Sequence, residues 1–138
     1  MRALIRAAGL AFVLALVAGC TSIPEKATAV RGFDVSRYLG KWYLIARLDH
    51  PFESGLDRES AEYSLRDDGA VRVLNRGYDP KRDRWREIEG RAYFIETPDI
   101  GRLKVSFFGP FYGAYNILEL APDYSYSLVS GPNTSYLW

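Results

Sequence analysis

Few residues in this sequence could do covalent or metal chemistry. It contains one cysteine, Cys20, and one histidine, His50. A single cysteine closes no internal disulfide, and the two residues fall short of a Cys/His zinc ligand set. A Cys–His nucleophile pair stays open on residue types alone, but Cys20 stands at the end of an apolar leader, where chains are cleaved. No Gly-x-Ser-x-Gly occurs, so a serine esterase would lack its nucleophile turn, and its only candidate base would be His50. Asp67-Asp68 belongs to a turn. Glu87 and Glu89 fall on the face opposite Gly90, toward solvent. Lys81, Arg82, Arg84 and Arg86 are balanced by Asp79, Asp83 and Glu87 and read as a solvated turn. His50 reads as a surface residue of a long loop. No catalytic residue, metal or cofactor is expected.

Charge also excludes a partner class. The chain has 138 residues, with 18 basic and 17 acidic side chains. Residues 1–19 carry Arg2 and Arg6 and then an apolar run from Ala7 to Ala18, interrupted only by Gly9. Twelve residues are too few to span a bilayer, which takes about twenty. The pattern is that of a removable export signal. Without it, 119 residues carry 16 basic and 17 acidic groups. No basic excess exists to attract nucleic acid. The remaining chain holds 10 Tyr, 6 Phe and 3 Trp, an aromatic load that excludes disorder and suits pleated, half-buried surfaces.

Val17-Ala18-Gly19-Cys20 resembles a bacterial lipobox. The resemblance implies cleavage before Cys20 and acylation of that residue, with several acyl chains holding the protein on a membrane at roughly 0.8 kcal/mol per buried CH₂. Thr21, where inner-membrane lipoproteins commonly carry Asp, is similar to the outer-membrane sorting class. Residues 20–32, rich in small and breaking residues, read as lipidated Cys and tether.

From residue 33 the chain breaks into short alternating runs with turn signals between them, the pattern of an all-β barrel or sandwich. Run one, 41–49, aligns Trp42, Leu44, Ala46 and Leu48. Run two, 59–66, aligns Ala61, Tyr63 and Leu65, and Asp67-Asp68-Gly69 closes a hairpin. Run three, 70–78, aligns Val71, Val73 and Asn75. Run four, 84–96, aligns Ile88, Gly90, Ala92 and Phe94, with Gly90 marking a bend or bulge. Run five, 102–108, aligns Leu103, Val105 and Phe107. Runs six and seven, 113–121 and 124–130, offer Asn116, Leu118 and Leu120, then Ser127 and Val129. An eighth run starts near Thr134. Eight sequentially connected antiparallel strands predict an up-and-down barrel with room for one small ligand.

Gly40-Lys41-Trp42-Tyr43, continued by Ile45-Ala46-Arg47, resembles the first motif of the lipocalin family. Asp123-Tyr124 is similar to part of the second. The stretches at 37–53, 63–69 and 103–116 resemble bacterial outer-membrane lipocalins, and the likeness covers 33–138. It implies an eight-stranded barrel with Gly40 and Trp42 at the closed end. It also implies an Arg motif and a C-terminal helix beyond Trp138, so the last strand is expected to be incomplete and the helix missing.

The functional expectation follows. The ligand would be a fatty acid or lysophospholipid, held non-covalently for storage or transport in envelope maintenance. Its tail would lie against Leu44, Ala46, Ala61, Tyr63, Val71, Val73, Ile88, Ala92, Phe94, Leu103, Val105, Phe107, Leu118 and Val129. Asn75 and Asn116 would be the few orienting polar groups. The protein would sit on the periplasmic face of the outer membrane, with a homodimer left open. The alternatives are a structural lipoprotein with a filled barrel, and a lipid esterase.

Overall fold

Alternation and turn chemistry produce one long meander. The computed structural model describes residues 21–51 and 53–138. Among them a single-turn helix α1 (Val35–Tyr38) leads into strands β1 (Gly40–Tyr43), β2 (Asp57–Leu65), β3 (Val71–Asp79), β4 (Arg84–Phe94), β5 (Arg102–Phe108), β6 (Phe111–Leu120) and β7 (Ser127–Ser130). Each strand pairs antiparallel with the next in sequence order, forming one curled sheet. Tyr136–Trp138 then bonds back to β7: the Trp138 N–H donates to the Val129 carbonyl and the Val129 N–H to the Trp138 carbonyl, both at 2.9 Å. The eighth run is thus present as three residues along the β7 edge.

The helix is set by its ends. The Asp34 side chain accepts the Ser36 N–H at 2.9 Å as an N-cap, and the Leu39 N–H closes the turn on Val35. Gly40 then takes φ +103°, a conformation a side chain would oppose, and turns the chain into β1. At the β2–β3 hairpin the Arg66 N–H bonds the Ala70 carbonyl at 2.8 Å, and Asp68 accepts the Ala70 N–H at 3.1 Å.

Run one is shorter than its alternation predicts. It leaves the sheet after Tyr43, although the Leu44 N–H still reaches the Glu59 carbonyl at 3.0 Å. Beyond it, Arg47 holds the chain in a different path. Its guanidinium bonds Glu59 at 2.8 Å, Asp49 at 2.6 Å and the Glu53 carbonyl at 2.8 Å. Three oxygen partners around one cation outweigh continued pairing on an edge. Run seven also starts late, at Ser127, because Asp123 captures the Ser125 N–H in a turn with Tyr124 at φ +61°.

A third difference reverses a face. β6 carries an irregularity between Ile117 and Glu119 against β7. Tyr115 and Ile117 face inward before it and Leu120 after it, where simple alternation put Asn116 and Leu118 with Leu120. The core is Phe33, Tyr38, Tyr63, Val71, Val73, Ala92, Leu103, Ile117 and Val129, on the concave side of the sheet.

Candidate functional site

The concave side narrows onto an apolar cavity of about 20 Å³, between Phe33, Val35, Tyr38, Tyr63, Val71, Val73, Ala92, Leu103, Val105, Tyr115 and Ile117. Adjacent strands supply these residues in register: Tyr63 faces Val73, Val71 faces Ala92, Ala92 faces Val105, and Leu103 faces Tyr115. Such a volume is close to that of one water molecule.

The polar groups beside this cavity are phenols. The Tyr115 hydroxyl shares hydrogen bonds of 2.8 Å with both Tyr63 and Tyr38, and Tyr38 reaches the Ser127 hydroxyl at 3.1 Å. Four hydroxyls joined by three bonds leave one O–H donor beyond those the chain consumes. Burial pushes the phenols of Tyr38, Tyr63 and Tyr115 above the usual tyrosine value, so all three stay neutral. The site is uncharged and apolar, with a small hydrogen-bonding capacity at one wall.

Six of the residues expected to meet ligand line the cavity: Tyr63, Val71, Val73, Ala92, Leu103 and Val105. Val129 is buried in the same core, and Ala61, Phe94 and Phe107 pack against it. Gly90 makes room for Phe107, since a Cβ there would stand 2.7 Å from that ring. Asn75 lies on the inner register of β3, opposite Ile88.

Other placements need correction. Ala46 is exposed and Leu44 only half-buried, because both follow the end of β1. Ile88 is 36 % exposed, in a part of β4 that β5 does not reach. Leu118 is half-buried beside the β6 irregularity. Asn116 is fully buried, yet on the outer side: its amide donates to the Ser22 carbonyl at 3.0 Å and the Gly131 carbonyl at 3.1 Å. It ties the N-terminal segment to the wall rather than facing the cavity. His50 is buried, stacked on Tyr136 at 4.4 Å between ring centroids and near Trp138. It is a packing residue of the seam between the first loop and the chain's last residues. Cys20 lies outside the described residues.

Sequence reasoning missed Phe33, Val35, Tyr38, Tyr115 and Ile117. Tyr115 and Ile117 alternate, but the opposite face of the same run is equally apolar. Trp42 stacks on Tyr38 at 4.5 Å and donates from Nε1 to the Tyr38 carbonyl at 2.8 Å, so motif and helix brace each other at one end of the sheet. Among the described residues no three His, Cys, Asp or Glu side chains converge as a metal site.

A family model, that of the lipocalin-like domain, matches residues 33–138, the stretch that forms this meander. This chain belongs to the lipocalin family. Among its relatives, "Outer membrane lipoprotein Blc" of Vibrio cholerae is 55 % identical over 124 residues, covering 89 % of this chain and 72 % of that protein. The protein of the same name from Escherichia coli K12 is 53 % identical over 137 residues, 98 % of this chain and 76 % of that one. In the crystal structure of Per a 4, a major cockroach allergen, the fold is similar at TM-score 0.63 and 18 % identity, covering 84 % of this chain and 74 % of that one. Lipocalins are typically binding proteins.

Proposed function

We propose that this lipocalin is anchored to the outer membrane through acylated Cys20 and binds the acyl chain of a fatty acid or lysophospholipid, for storage or transport in the envelope. The observation that carries the reading is the cavity wall, built of apolar side chains from β3 to β6 and the neutral phenols of Tyr38, Tyr63 and Tyr115. A charged headgroup has no counterion there, so it stays at the mouth while the tail enters. The cavity must widen to admit a tail, and the seam offers the place. β1 does not pair with β7; the two sides are joined by side chains, with His50 stacked on Tyr136, Trp138 bonded to Glu53 at 3.0 Å and Tyr38 bonded to Ser127 at 3.1 Å, and by the Leu48–Leu137 backbone bond at 3.0 Å. A seam without a continuous backbone ladder parts at less cost than a paired strand edge.

The names of the relatives support the location, and the Val17-Ala18-Gly19-Cys20 sequence supports the anchor. One observation favours a second reading, a structural lipoprotein with a filled interior: the cavity of about 20 Å³ already holds no more than a water. Titration of an apolar fluorescent fatty acid into the chain expressed without residues 1–19 and with Cys20→Ala separates the two. Binding that lysophospholipid displaces, and that Ala92→Phe abolishes without changing circular dichroism, supports the lipid site. A folded sample with no binding supports the filled interior.

A further inference from the structure

The β5–β6 hairpin ends in Phe108-Gly109-Pro110-Phe111. Phe108 and Phe111 face each other as the last ladder pair and are 71 % and 77 % exposed. Two large rings side by side on a protruding turn cannot be covered by the sheet that carries them. The meander places this turn at the same end as the 44–56 and 80–83 loops, the end opposite α1 and Trp42.

The wall behind the turn carries a matching set of groups. Tyr93 and Tyr112 meet edge to face at 6.2 Å, and the Lys104 ammonium lies 4.9 Å from the Tyr112 ring centre. The Arg91 guanidinium reaches the turn itself, 3.4 Å from where a Cβ on Gly109 would stand. Exposed phenylalanines at a tip, with tyrosines and cations just behind, match the layering of a bilayer surface: acyl region, interface, phosphates. A stable protein partner would need about 1,000 Å² of buried area, far more than two rings on a convex turn supply.

Chain geometry selects the same occupant. Thr21, the residue after Cys20, borders a groove with Phe94, Ile95, Lys104 and Tyr112, and its carbonyl accepts Arg102 Nη2 at 3.1 Å. Tyr112 directly follows Phe111. The attachment point and the tip therefore share one wall, separated by the four residue steps from Lys104 to Phe108, roughly 13 Å of strand.

We propose that Phe108 and Phe111 insert into the bilayer that holds the Cys20 acyl chains, with Arg91 and Lys104 on lipid phosphates. This rests on the reading that Cys20 is acylated. Two contacts on one wall fix the barrel's orientation as a single tether cannot. They bring the mouth of the barrel to the lipid surface, so that a tail passes from leaflet to cavity with little exposure to water.

The test uses the acylated chain in vesicles of phosphatidylethanolamine and phosphatidylglycerol, with Phe111→Trp compared against the parent. The parent's Trp42, Trp85 and Trp138 give the background emission. The added indole is expected to emit blue-shifted light and to be quenched several-fold more by lipids brominated in their acyl chains than by aqueous iodide. Adding Phe108→Ser should reverse that preference. Greater quenching by iodide overturns the proposal. So does a blue shift without lipid quenching accompanied by a doubled mass in light scattering, which would mean that a second copy covers the tip. Mass spectrometry of the same sample separates the two readings. An unacylated Cys20 overturns the anchor and this proposal together, whereas an acylated Cys20 with a water-exposed indole overturns the tip alone.

Discussion

Replacing Tyr115 with phenylalanine deletes one oxygen from the middle of the hydroxyl chain and keeps the ring that meets Tyr63 edge to face at 6.1 Å. Two hydrogen bonds of 2.8 Å disappear. Tyr38 keeps Ser127 at 3.1 Å, but the buried Tyr63 hydroxyl loses its partner. A net hydrogen bond contributes about 0.5–1.5 kcal/mol, and an orphaned buried hydroxyl costs about 1–3 kcal/mol. The expected destabilisation is therefore about 2–4 kcal/mol, a large part of the ~5–15 kcal/mol that holds a typical domain together. Tyr63→Phe removes only the end of the chain and leaves Tyr115 bonded to Tyr38, so it should cost about 0.5–1.5 kcal/mol. The double variant has no orphan and should be at least as stable as Tyr115→Phe alone, a clear departure from additivity. Urea denaturation at neutral pH, with slopes confirmed equal, measures all three. Tyr115→Phe costing no more than Tyr63→Phe, or strict additivity in the double variant, would refute the reasoning.

Three further outcomes are expected. Unfolded tyrosines ionise near 10, whereas Tyr38, Tyr63 and Tyr115 hold their protons above that value when folded. Stability should therefore fall as pH rises past about 10, by up to ~1.4 kcal/mol per pH unit for each such tyrosine, and Tyr115→Phe should flatten the decline seen in denaturation midpoints. Gly90→Ala places a Cβ 2.7 Å from both the Phe107 ring and the Ser106 carbonyl oxygen, and should cost about 1–3 kcal/mol in the same assay. A melting temperature equal to the parent's would show that the wall gives way freely. Arg47→Met leaves Glu59, whose carboxyl burial already raises above its usual range, without its 2.8 Å partner. Folded Glu59 then binds its proton before the unfolded chain does, so the variant should recover stability as pH falls into the carboxylate range, and a flat acid profile would disprove this.

Local chemistry alone determined much of this lipocalin. Asp67-Asp68-Gly69 dictated a hairpin because Asp68 can satisfy the Ala70 N–H and Gly69 adopts φ +82°. Alternation fixed Val71 with Val73, Gly90 with Ala92, and Leu103 with Val105 on one face, and β5 spans the 102–108 run its pattern marks. Those features depend on neighbours two to four residues away, which a linear sequence displays. Contacts between distant segments it does not display. The Tyr38–Tyr115 bond joins residues 77 apart, and Asn116 is buried by Ser22, 94 residues earlier. The β6 irregularity shifts which face is inner, and in a run apolar on both faces no local signal marks it. Arg47 ends β1 by gathering Asp49, Glu53 and Glu59, and His50 is buried only because Tyr136 and Trp138 return to cover it. Which polar groups are buried, and beside what, was decided by the curling of the sheet. That curling brings together side chains whose separation along the sequence carries no trace of their contact.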